Sequence, residues 1–396
     1  MYILLSDKSI TDGRSYGLRS YQIIGGWIHK VDESPEIPMA IPIGTEFIDL
    51  RGLTILPGFI DIHVHGGGGY DTMDGSLESL CGLAAFKVEE GVTNFVPTLI
   101  TAKNDRVKDA IAAINAAIKQ GTNGADISGI FFEGPYINPK YMGGHTKESI
   151  RPIDLTEMTE LIDLAQSAVH GGVVSINIAP ELENGLEAIA SMSAVNINCR
   201  MGHSAATYEE TKRGSDAGAN IIVHTYNAMS PIHHREPGIT VAALTLDKLY
   251  AELICDFHHV SLPAIKLLLQ AKNPDKIILV TDAIAPAGLP DGEYHLGTII
   301  KEDGVCRNQD GKIAGSCITM IDCVKNMYKK VGIPLIDVIS MVTSVPAKAL
   351  GMYPNIGSLQ EKTRANIIAI DEDFNIRFVM VNGKIYKQTM RGFEYV

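Results

Sequence analysis

Eight short apolar runs, separated by helix-like segments, constrain the fold of this 396-residue chain more than any other feature of its sequence. The runs are continuous rather than alternating, which is typical of parallel strands that are covered on both faces. They occupy residues 59–65, 93–99, 128–134, 173–180, 196–203, 220–226, 250–257 and 276–283. Eight parallel strands with covering helices close most economically on themselves. The sequence therefore predicts an α/β fold of the (β/α)8 TIM-barrel type.

The segments between the runs carry the periodicity of helices. Val107, Ile111 and Ile114 recur at spacings of four and three, so they form one apolar face. Gly121 follows that face and is placed to end the helix. Residues 155–169 form a second helix-like segment. These segments are the helices that the barrel prediction requires.

The two ends of the chain differ from the middle. Residues 1–53 and 358–396 contain short strand-like pieces with glycine turns, and Asn382-Gly383 is a hairpin signal. Neither end suits a barrel helix. We expect both termini to form one small β domain, and residues 54–357 to form the catalytic barrel.

Charge and composition exclude several classes of protein. The net charge of −12 argues against non-specific binding to nucleic acid or to an anionic membrane. No apolar stretch approaches the ~18 residues of a membrane span, and the N-terminus lacks the basic start of a signal peptide. The six cysteines form no CxxC pair, so we expect buried free thiols and a cytoplasmic location.

Two histidines lie one residue apart at the end of the first run. Residues two apart on a strand point to the same face, so His63 and His65 aim together toward the barrel interior. A lone histidine there would be read as a hydrogen-bonded core residue. A pair in phase favours metal ligation, because imidazole is the commonest protein ligand for first-row metals.

Other polar residues end the other strands. Glu133 ends the third run, His203 the fifth and His224 the sixth, and the eighth run reaches Asp282. Active sites of TIM barrels are built at this end of the strands. Burying these groups without a common function would be costly. The set predicts a divalent metal site, with zinc, iron, manganese and cobalt all compatible with the ligand types.

Four glycines, residues 66–69, follow His65 directly. No GK[ST] sequence follows them, so they do not form a P-loop. We interpret them as a sharp turn off the first strand that keeps side chains away from the metal.

Several motifs give the chain a specific resemblance. The HxH pair and the strand-end residues are similar to the amidohydrolase superfamily. FFEGPYINPKYMGGH, MGHSAAT, HTYNAMSP, LVTDAIAPAG and IAGSCITM resemble the N-acetylglucosamine-6-phosphate deacetylase family within it. The resemblance runs along nearly the whole chain. It implies removal of acetate from a phosphorylated amino sugar by metal-activated water.

The resemblance also implies roles for individual residues. Metal ligands are implied at Glu133, His203 and His224, the catalytic acid/base is implied at Asp282, and His63 and His65 imply a second metal position. The implied cofactor is a divalent ion, zinc or iron, with one or two ions per subunit. The family is commonly homodimeric.

The substrate side of the site is implied in the same way. The phosphate is implied to bind at Asn227, Ala228 and Arg235, with Arg235 acting either in its own subunit or from a partner subunit. Further substrate contacts are implied at Gly144, His145, His259, Ile313, Ala314 and Gly315. His145 or His259 stabilises the developing oxyanion or orients the sugar. Phe257 departs from the glycine that family members often carry there, so the choice of His259 over His258 stays open. His233 and His234 match no role, and a solvated loop is expected for them.

Two other functions remain open from the sequence. A superfamily hydrolase of cyclic amides is one, although many of those place a carboxylated lysine where Glu133 stands. A scaffold that keeps the barrel without catalysis is the other, although it would be expected to lack metal ligands.

Overall fold

The computed structural model of the protein describes residues 1–33, 35, 43–294, 298–309 and 311–389. Each of the eight apolar runs contains a strand, and these strands are called barrel strands 1 to 8. In order they span Phe59–Val64, Val92–Leu99, Gly129–Phe132, Val173–Asn177, Asn198–Met201, Ile221–Ile222, Tyr250–Leu253 and Ile277–Leu279. Consecutive strands pair in parallel from strand 1 to strand 8. The predicted barrel is confirmed.

Backbone hydrogen bonds join barrel strands 8 and 1 just beyond their C-terminal ends. The His63 carbonyl accepts from the Asp282 N–H at 2.9 Å, and the His65 N–H donates to the Ala283 carbonyl at 2.9 Å. Lower down, the Asp61 carboxylate accepts from the backbone N–H and the hydroxyl of Thr281, at 3.3 and 2.6 Å. Below these backbone bonds, the buried side chain of Asp61 thus replaces the backbone hydrogen bonds that would otherwise link strands 8 and 1.

Helices cover the barrel. The α-helices span Leu77–Glu89, Asn104–Gln120, Leu155–Val169, Gly185–Ala194, Tyr208–Asp216, Ile239–Thr245, Leu262–Ala271, Met320–Lys325, Leu335–Val342 and Ser344–Ala349. Single 3-10 turns span Thr72–Asp74, Pro139–Tyr141, Lys147–Ser149 and Pro274–Lys276, and a π-helical turn spans Asn326–Val331. Both sequence-predicted helices are present, and the first stops at Gly121 as expected. Their apolar faces pack on the strands and make the outer core.

Both termini build the predicted small β domain. Its first sheet contains Tyr2–Ser6, Arg19–Ile24, Trp27–Glu33 and Glu46–Asp49. Its second sheet contains Ser9–Thr11, Arg14–Tyr16, Thr54–Pro57, Ile367–Ile370, Ile376–Val381 and Lys384–Gln388. One apolar core, which includes Tyr21, Ile55 and Phe378, fills the space between the sheets. Because the strand Thr54–Pro57 pairs within this domain, we propose that the domain boundary follows Pro57 rather than Leu53.

A small antiparallel sheet follows barrel strand 8 and leads to the segment 313–315. Its strands span Gly292–Tyr294, Ile299–Glu302 and Val305–Asn308. Cys306 on the last strand is joined to Cys317 by a disulfide, so the expectation that all six cysteines are free thiols was wrong. The hairpin brings two cysteines together that lie 11 residues apart in the sequence.

Candidate active site

A pocket of about 490 Å³ opens at the C-terminal ends of the barrel strands. The polar side chains that line it include His65, Glu133, His145, His203, His224, His259 and Asp282. A larger and more open cleft of about 1080 Å³ lies at the opposite end of the barrel, near Trp27 and Arg364. The titratable cluster lies in the smaller pocket, which is therefore the candidate active site.

The carboxylate of Glu133 lies at the centre of this cluster. Its Oε1 atom lies 3.0 Å from His203 Nε2 and 3.1 Å from His224 Nε2. Its Oε2 atom lies 3.1 Å from His65 Nε2 and 3.2 Å from His145 Nε2. Burial disfavours the charged form, but the rings of His145 and His65 outweigh it and hold the pKa of Glu133 well below its usual value. Four imidazoles thus share one ionised carboxylate at 3.0–3.2 Å, and Nε2 of a fifth, His63, lies 3.4 Å from Oε1.

The ring of His203 is oriented as a metal ligand requires. Its Nδ1 atom lies 2.8 Å from the Tyr141 carbonyl, which can only accept, so Nδ1 carries the proton. Burial lowers the pKa of His203 to about 4, and the ring stays neutral near pH 7. Its Nε2 lone pair then faces His224 Nε2 at 2.9 Å. The His203 lone pair, Nε2 of His224 and Oε1 of Glu133 converge on one point, and this set fits a shared cation.

The HxH pair forms the other half of the cluster. The Nε2 atoms of His63 and His65 both lie 3.4 Å from Asp282 Oδ1. Burial by itself raises the pKa of Asp282, but these two rings lower it to about 2. Burial has the opposite effect on a histidine and by itself lowers the pKa of His65, but Glu133 and Asp282 raise this pKa to about 10. Nε2 of His63 is buried and has no hydrogen-bond partner among the described residues. The carboxylates that favour a proton on His65 would equally attract a divalent ion in its place, so this half of the cluster also fits a metal.

The backbone at the strand ends is strained. His203, His224 and Asp282 have φ values of 47°, 27° and 47°, a left-handed conformation that is uncommon for residues other than glycine. Strain of this kind clusters at functional sites, where the surrounding structure holds it in place. Here it turns each side chain from the strand end into the pocket.

The glycines after His65 are required by close packing of backbone. A Cβ atom at Gly66 would lie 2.3 Å from the Tyr70 carbonyl oxygen and 2.8 Å from the Ala285 nitrogen. Gly68 and Gly69 have φ values of 62° and 93°. The run forms the tight turn expected from the sequence, and it also lets the chain pass against Ala285.

Most residues assigned to the substrate also line this pocket. They are Gly144, His145, Asn227, Ala228, His259, Ile313, Ala314 and Gly315. Arg235 is exposed and is not among the lining residues of its own chain. It lies in the loop with His233 and His234, where the expected solvated loop is present and the Glu236 N–H donates to His233 Nδ1 at 3.0 Å.

The sequence left open whether His258 or His259 contacts the substrate, and both line the pocket. His259 Nδ1 lies 2.6 Å from Asp256 Oδ2, whereas His258 is exposed. Burial by itself lowers the pKa of His259, but the Asp256 carboxylate outweighs it and raises the pKa above its usual value. Phe257, which lies between Asp256 and the two histidines, has a φ of 66°.

Several residues near the site were not found from the sequence. Thr101 Oγ1 lies 2.5 Å from His145 Nδ1, and Arg106 lines the mouth of the pocket while donating to the Met73 carbonyl at 3.1 Å. Arg200 and Glu252 are fully buried beneath the histidines. The signal for these last two was present, because each is a charged residue inside an apolar run.

The profile of the amidohydrolase family matches residues 54–386, which contain every strand-end residue described above. This chain belongs to the amidohydrolase family.

Within the family, the chain is similar to amino-sugar phosphate deacetylases. It is 35% identical over 365 residues to N-acetylgalactosamine-6-phosphate deacetylase of Escherichia coli O157:H7, covering 91% of this chain and 96% of that one. It is 35% identical over 348 residues to N-acetylglucosamine-6-phosphate deacetylase of Vibrio furnissii, covering 87% and 84%. The crystal structure of N-acetylglucosamine-6-phosphate deacetylase from Pasteurella multocida superposes with a TM-score of 0.89 at 32% identity, covering 98% and 100%.

Family and donor set agree on the class of chemistry. This amidohydrolase is a metal-dependent hydrolase. Two buried groups of side chains offer ligand atoms close enough to hold an ion. One consists of His63, His65 and Glu133, and the other of Glu133, His145 and His203. Among the described residues, no helix is both long and apolar enough to cross a membrane.

Proposed function

We propose that this amidohydrolase removes the acetyl group from N-acetylglucosamine 6-phosphate and releases acetate and glucosamine 6-phosphate in amino-sugar catabolism. The observation that carries the proposal is the position of Asp282. Its carboxylate lies 3.4 Å from both histidines of the HxH pair, in a pocket of about 490 Å³ within a fold shared with deacetylases.

The metal ligands are proposed from the same cluster. Glu133, His203 and His224 would hold one divalent ion, zinc or iron, and His63 and His65, together with Glu133, would hold a second one near Asp282. When bound, the metal supplies Lewis acidity that makes a water molecule more acidic and an amide carbonyl more electrophilic.

Asp282 moves the proton. Its lowered pKa leaves it ionised near pH 7, so its Oδ1 can accept a proton from the attacking water. The same carboxyl then returns that proton to the amine nitrogen as the C–N bond breaks. This step is essential because an unprotonated amine is a poor leaving group. One residue therefore serves as base and then as acid.

Other residues position the substrate, and the phosphate among its groups is held away from the reacting bond. His259 donates to the sugar or to the developing oxyanion, with Asp256 fixing its ring at 2.6 Å. Asn227 and the backbone of Ala228 bind the phosphate. Arg235 completes that site from the partner in a homodimer, which is consistent with its exposure outside its own pocket. We place the enzyme in the cytoplasm, where phosphorylated sugars are produced.

A second substrate is supported by one observation. The Escherichia coli relative at 35% identity is named for N-acetylgalactosamine 6-phosphate, which differs from the proposed substrate only in the configuration at one hydroxyl-bearing carbon. The acetamide and the phosphate are the same in both sugars. The same catalytic groups would therefore serve either substrate.

Acetate release tests the proposal. The purified enzyme is assayed with both phosphorylated sugars and with unphosphorylated N-acetylglucosamine, and kcat/KM is compared. The proposal expects the highest value for N-acetylglucosamine 6-phosphate and a much lower one without the phosphate. A higher value for the galactosamine compound would reassign the substrate. Turnover of a cyclic amide alone, or of none of these compounds, would reject the deacetylase function.

A further inference from the structure

Glu252 is a buried carboxylate that the proposed mechanism does not use. It lies in the middle of barrel strand 7, and its side chain is fully buried. Both of its oxygens have partners. Oε1 accepts from Arg200 Nη1 at 2.8 Å, and Oε2 accepts from the His224 N–H at 3.1 Å and lies 2.8 Å from His63 Nδ1.

Arg200 keeps this carboxylate in place and charged. Its guanidinium also donates to the Ile62 carbonyl at 3.0 Å and to Ser175 Oγ at 3.1 Å, and it lies 3.9 Å from the ring centre of Phe131. These contacts come from different barrel strands, so Arg200 cannot move without breaking several of them. A guanidinium so close also strongly favours the ionised form of Glu252.

The ionised carboxylate determines where His63 carries its proton. A carboxylate can only accept hydrogen bonds, so Nδ1 of His63 must donate to it. Nε2 is then the nitrogen that can offer a lone pair. It lies 3.4 Å from Glu133 Oε1 and 3.4 Å from Asp282 Oδ1, without a hydrogen-bond partner among the described residues. The ring is also held edge-on against Phe131, with centroids 5.0 Å apart at 85°.

Glu252 also contacts the neighbouring ligand. Its carboxylate accepts from the backbone N–H of His224, and its backbone carbonyl accepts from the N–H of Thr225 at 2.9 Å. This segment carries the strained φ of His224. One residue thus holds the side chain of a ligand at one metal position and the backbone of a ligand at the other.

We propose that Glu252, held by Arg200, is a positioning residue that makes His63 a metal ligand, so that the metal position at the HxH pair depends on Glu252. The inference rests on the two metal positions of the proposed function. It assigns a role to a residue that contacts the metal ligands rather than the metal, and it does not depend on which substrate is used. Partners that orient metal-binding histidines typically change metal affinity by about 10- to 100-fold when they are removed.

The test is metal binding by Glu252→Gln, with Glu90→Gln as the matched control. Glu90 is also a buried carboxylate, paired with Lys87, but it lies away from the histidines. Metal per subunit and the affinity for each ion are measured on zinc-loaded protein by competition with a chromophoric chelator. We expect Glu252→Gln to bind the ion at the HxH pair about 10- to 100-fold more weakly. The loss at the other position should be smaller, because Glu252 contacts only the backbone of His224 there. Glu90→Gln is expected to keep both ions.

A spectroscopic readout separates positioning from general destabilisation. A histidine N–H that donates to a carboxylate gives a strongly downfield proton resonance. That resonance should be present in the wild type and absent in both His63→Ala and Glu252→Gln. If Glu252→Gln does not fold, Glu252→Asp retracts the carboxylate from His63 and is measured instead, with the same expected loss.

Several outcomes would overturn the inference. These are a wild type that binds one ion per subunit, a folded Glu252 variant that binds both ions with unchanged affinity, and a loss shared equally by Glu90→Gln. A wild type that binds two ions but releases no acetate would reject the proposed function and leave this inference standing.

Discussion

The Nε2 atoms of His203 and His224 lie 2.9 Å apart, and each lies within 3.1 Å of the same oxygen of Glu133. His203 donates through its other nitrogen to a backbone carbonyl, so its Nε2 faces His224 as a lone pair. A cation at this point would take up the lone pair of His203 Nε2 and, with the His224 proton on Nδ1, that of His224 Nε2 as well. The fold therefore holds these rings in a geometry that a metal ion stabilises.

Removal of the metal should lower the melting temperature. A ligand that binds only the folded state stabilises it by about 2.7 kcal/mol at 100 times its Kd, which corresponds to several degrees in Tm. Calorimetry before and after chelation, and after zinc is restored, measures the effect. His203→Ala should show a much smaller shift. An equal shift in both proteins would mean that chelation acts elsewhere.

Asp282→Asn should abolish most of the turnover and leave the fold intact. The amide side chain cannot accept and return a proton, and loss of a general acid–base group typically costs about 10²-fold or more. Acetate release and metal content are measured on the same preparation. A variant that retains more than half of wild-type kcat with its metal in place would remove Asp282 from the mechanism.

Arg235→Ala should raise KM for the phosphorylated sugar far more than for the unphosphorylated one. A lost hydrogen bond to a charged group costs about 1.5–3 kcal/mol, and in the phosphorylated sugar that group is the phosphate. If Arg235 completes the site of a partner subunit, as proposed, activity should also fall when the protein is diluted to monomer, because Arg235 does not line the pocket of its own chain. Equal effects on both sugars would show that Arg235 does not contact the phosphate. His234→Ala, in the same exposed loop, serves as the control.

The sequence was sufficient to predict the barrel and most of the residues that line its pocket. Strand runs covered on both faces are continuous, and the ends of parallel strands meet by geometry, so Glu133, His203 and Asp282 could be grouped without coordinates. Arg200 and Glu252 were not found because the runs that contain them were read for hydrophobicity. Their significance depends on which strands face each other across the barrel.

The disulfide was missed for a related reason. Cys306 and Cys317 lie on either side of a hairpin turn, and their distance depends on the register of a sheet inserted after barrel strand 8. The sequence shows only their separation of 11 residues, which is not that of a CxxC pair.

Lys87→Met should destabilise the fold strongly. The lysine is fully buried, it donates to Asp61 Oδ2 at 2.8 Å, and it also contacts Glu90. Removing it leaves two buried carboxylates without a cation, and such losses typically cost about 3–5 kcal/mol. Denaturant unfolding measures the change. Lys108→Met, which breaks the exposed pair with Glu160, should cost less than about 1 kcal/mol. Similar losses in both variants would show that the buried network is not important for stability.

Asp256→Asn should shift the pH dependence of substrate binding. Burial by itself lowers the pKa of His259, and the Asp256 carboxylate more than reverses this, so the native ring keeps its proton to a higher pH than an ordinary histidine. If protonated His259 binds the sugar, KM rises as pH increases through this raised pKa. Without the Asp256 carboxylate, burial is opposed only by the weaker attraction of Asp282, so the pKa of His259 falls and the rise in KM should move to lower pH. The KM profile is measured separately from kcat, which also reflects Asp282. His258→Asn, at the exposed neighbour, should leave the profile unchanged, and an unshifted profile in Asp256→Asn would exclude protonated His259 from substrate binding.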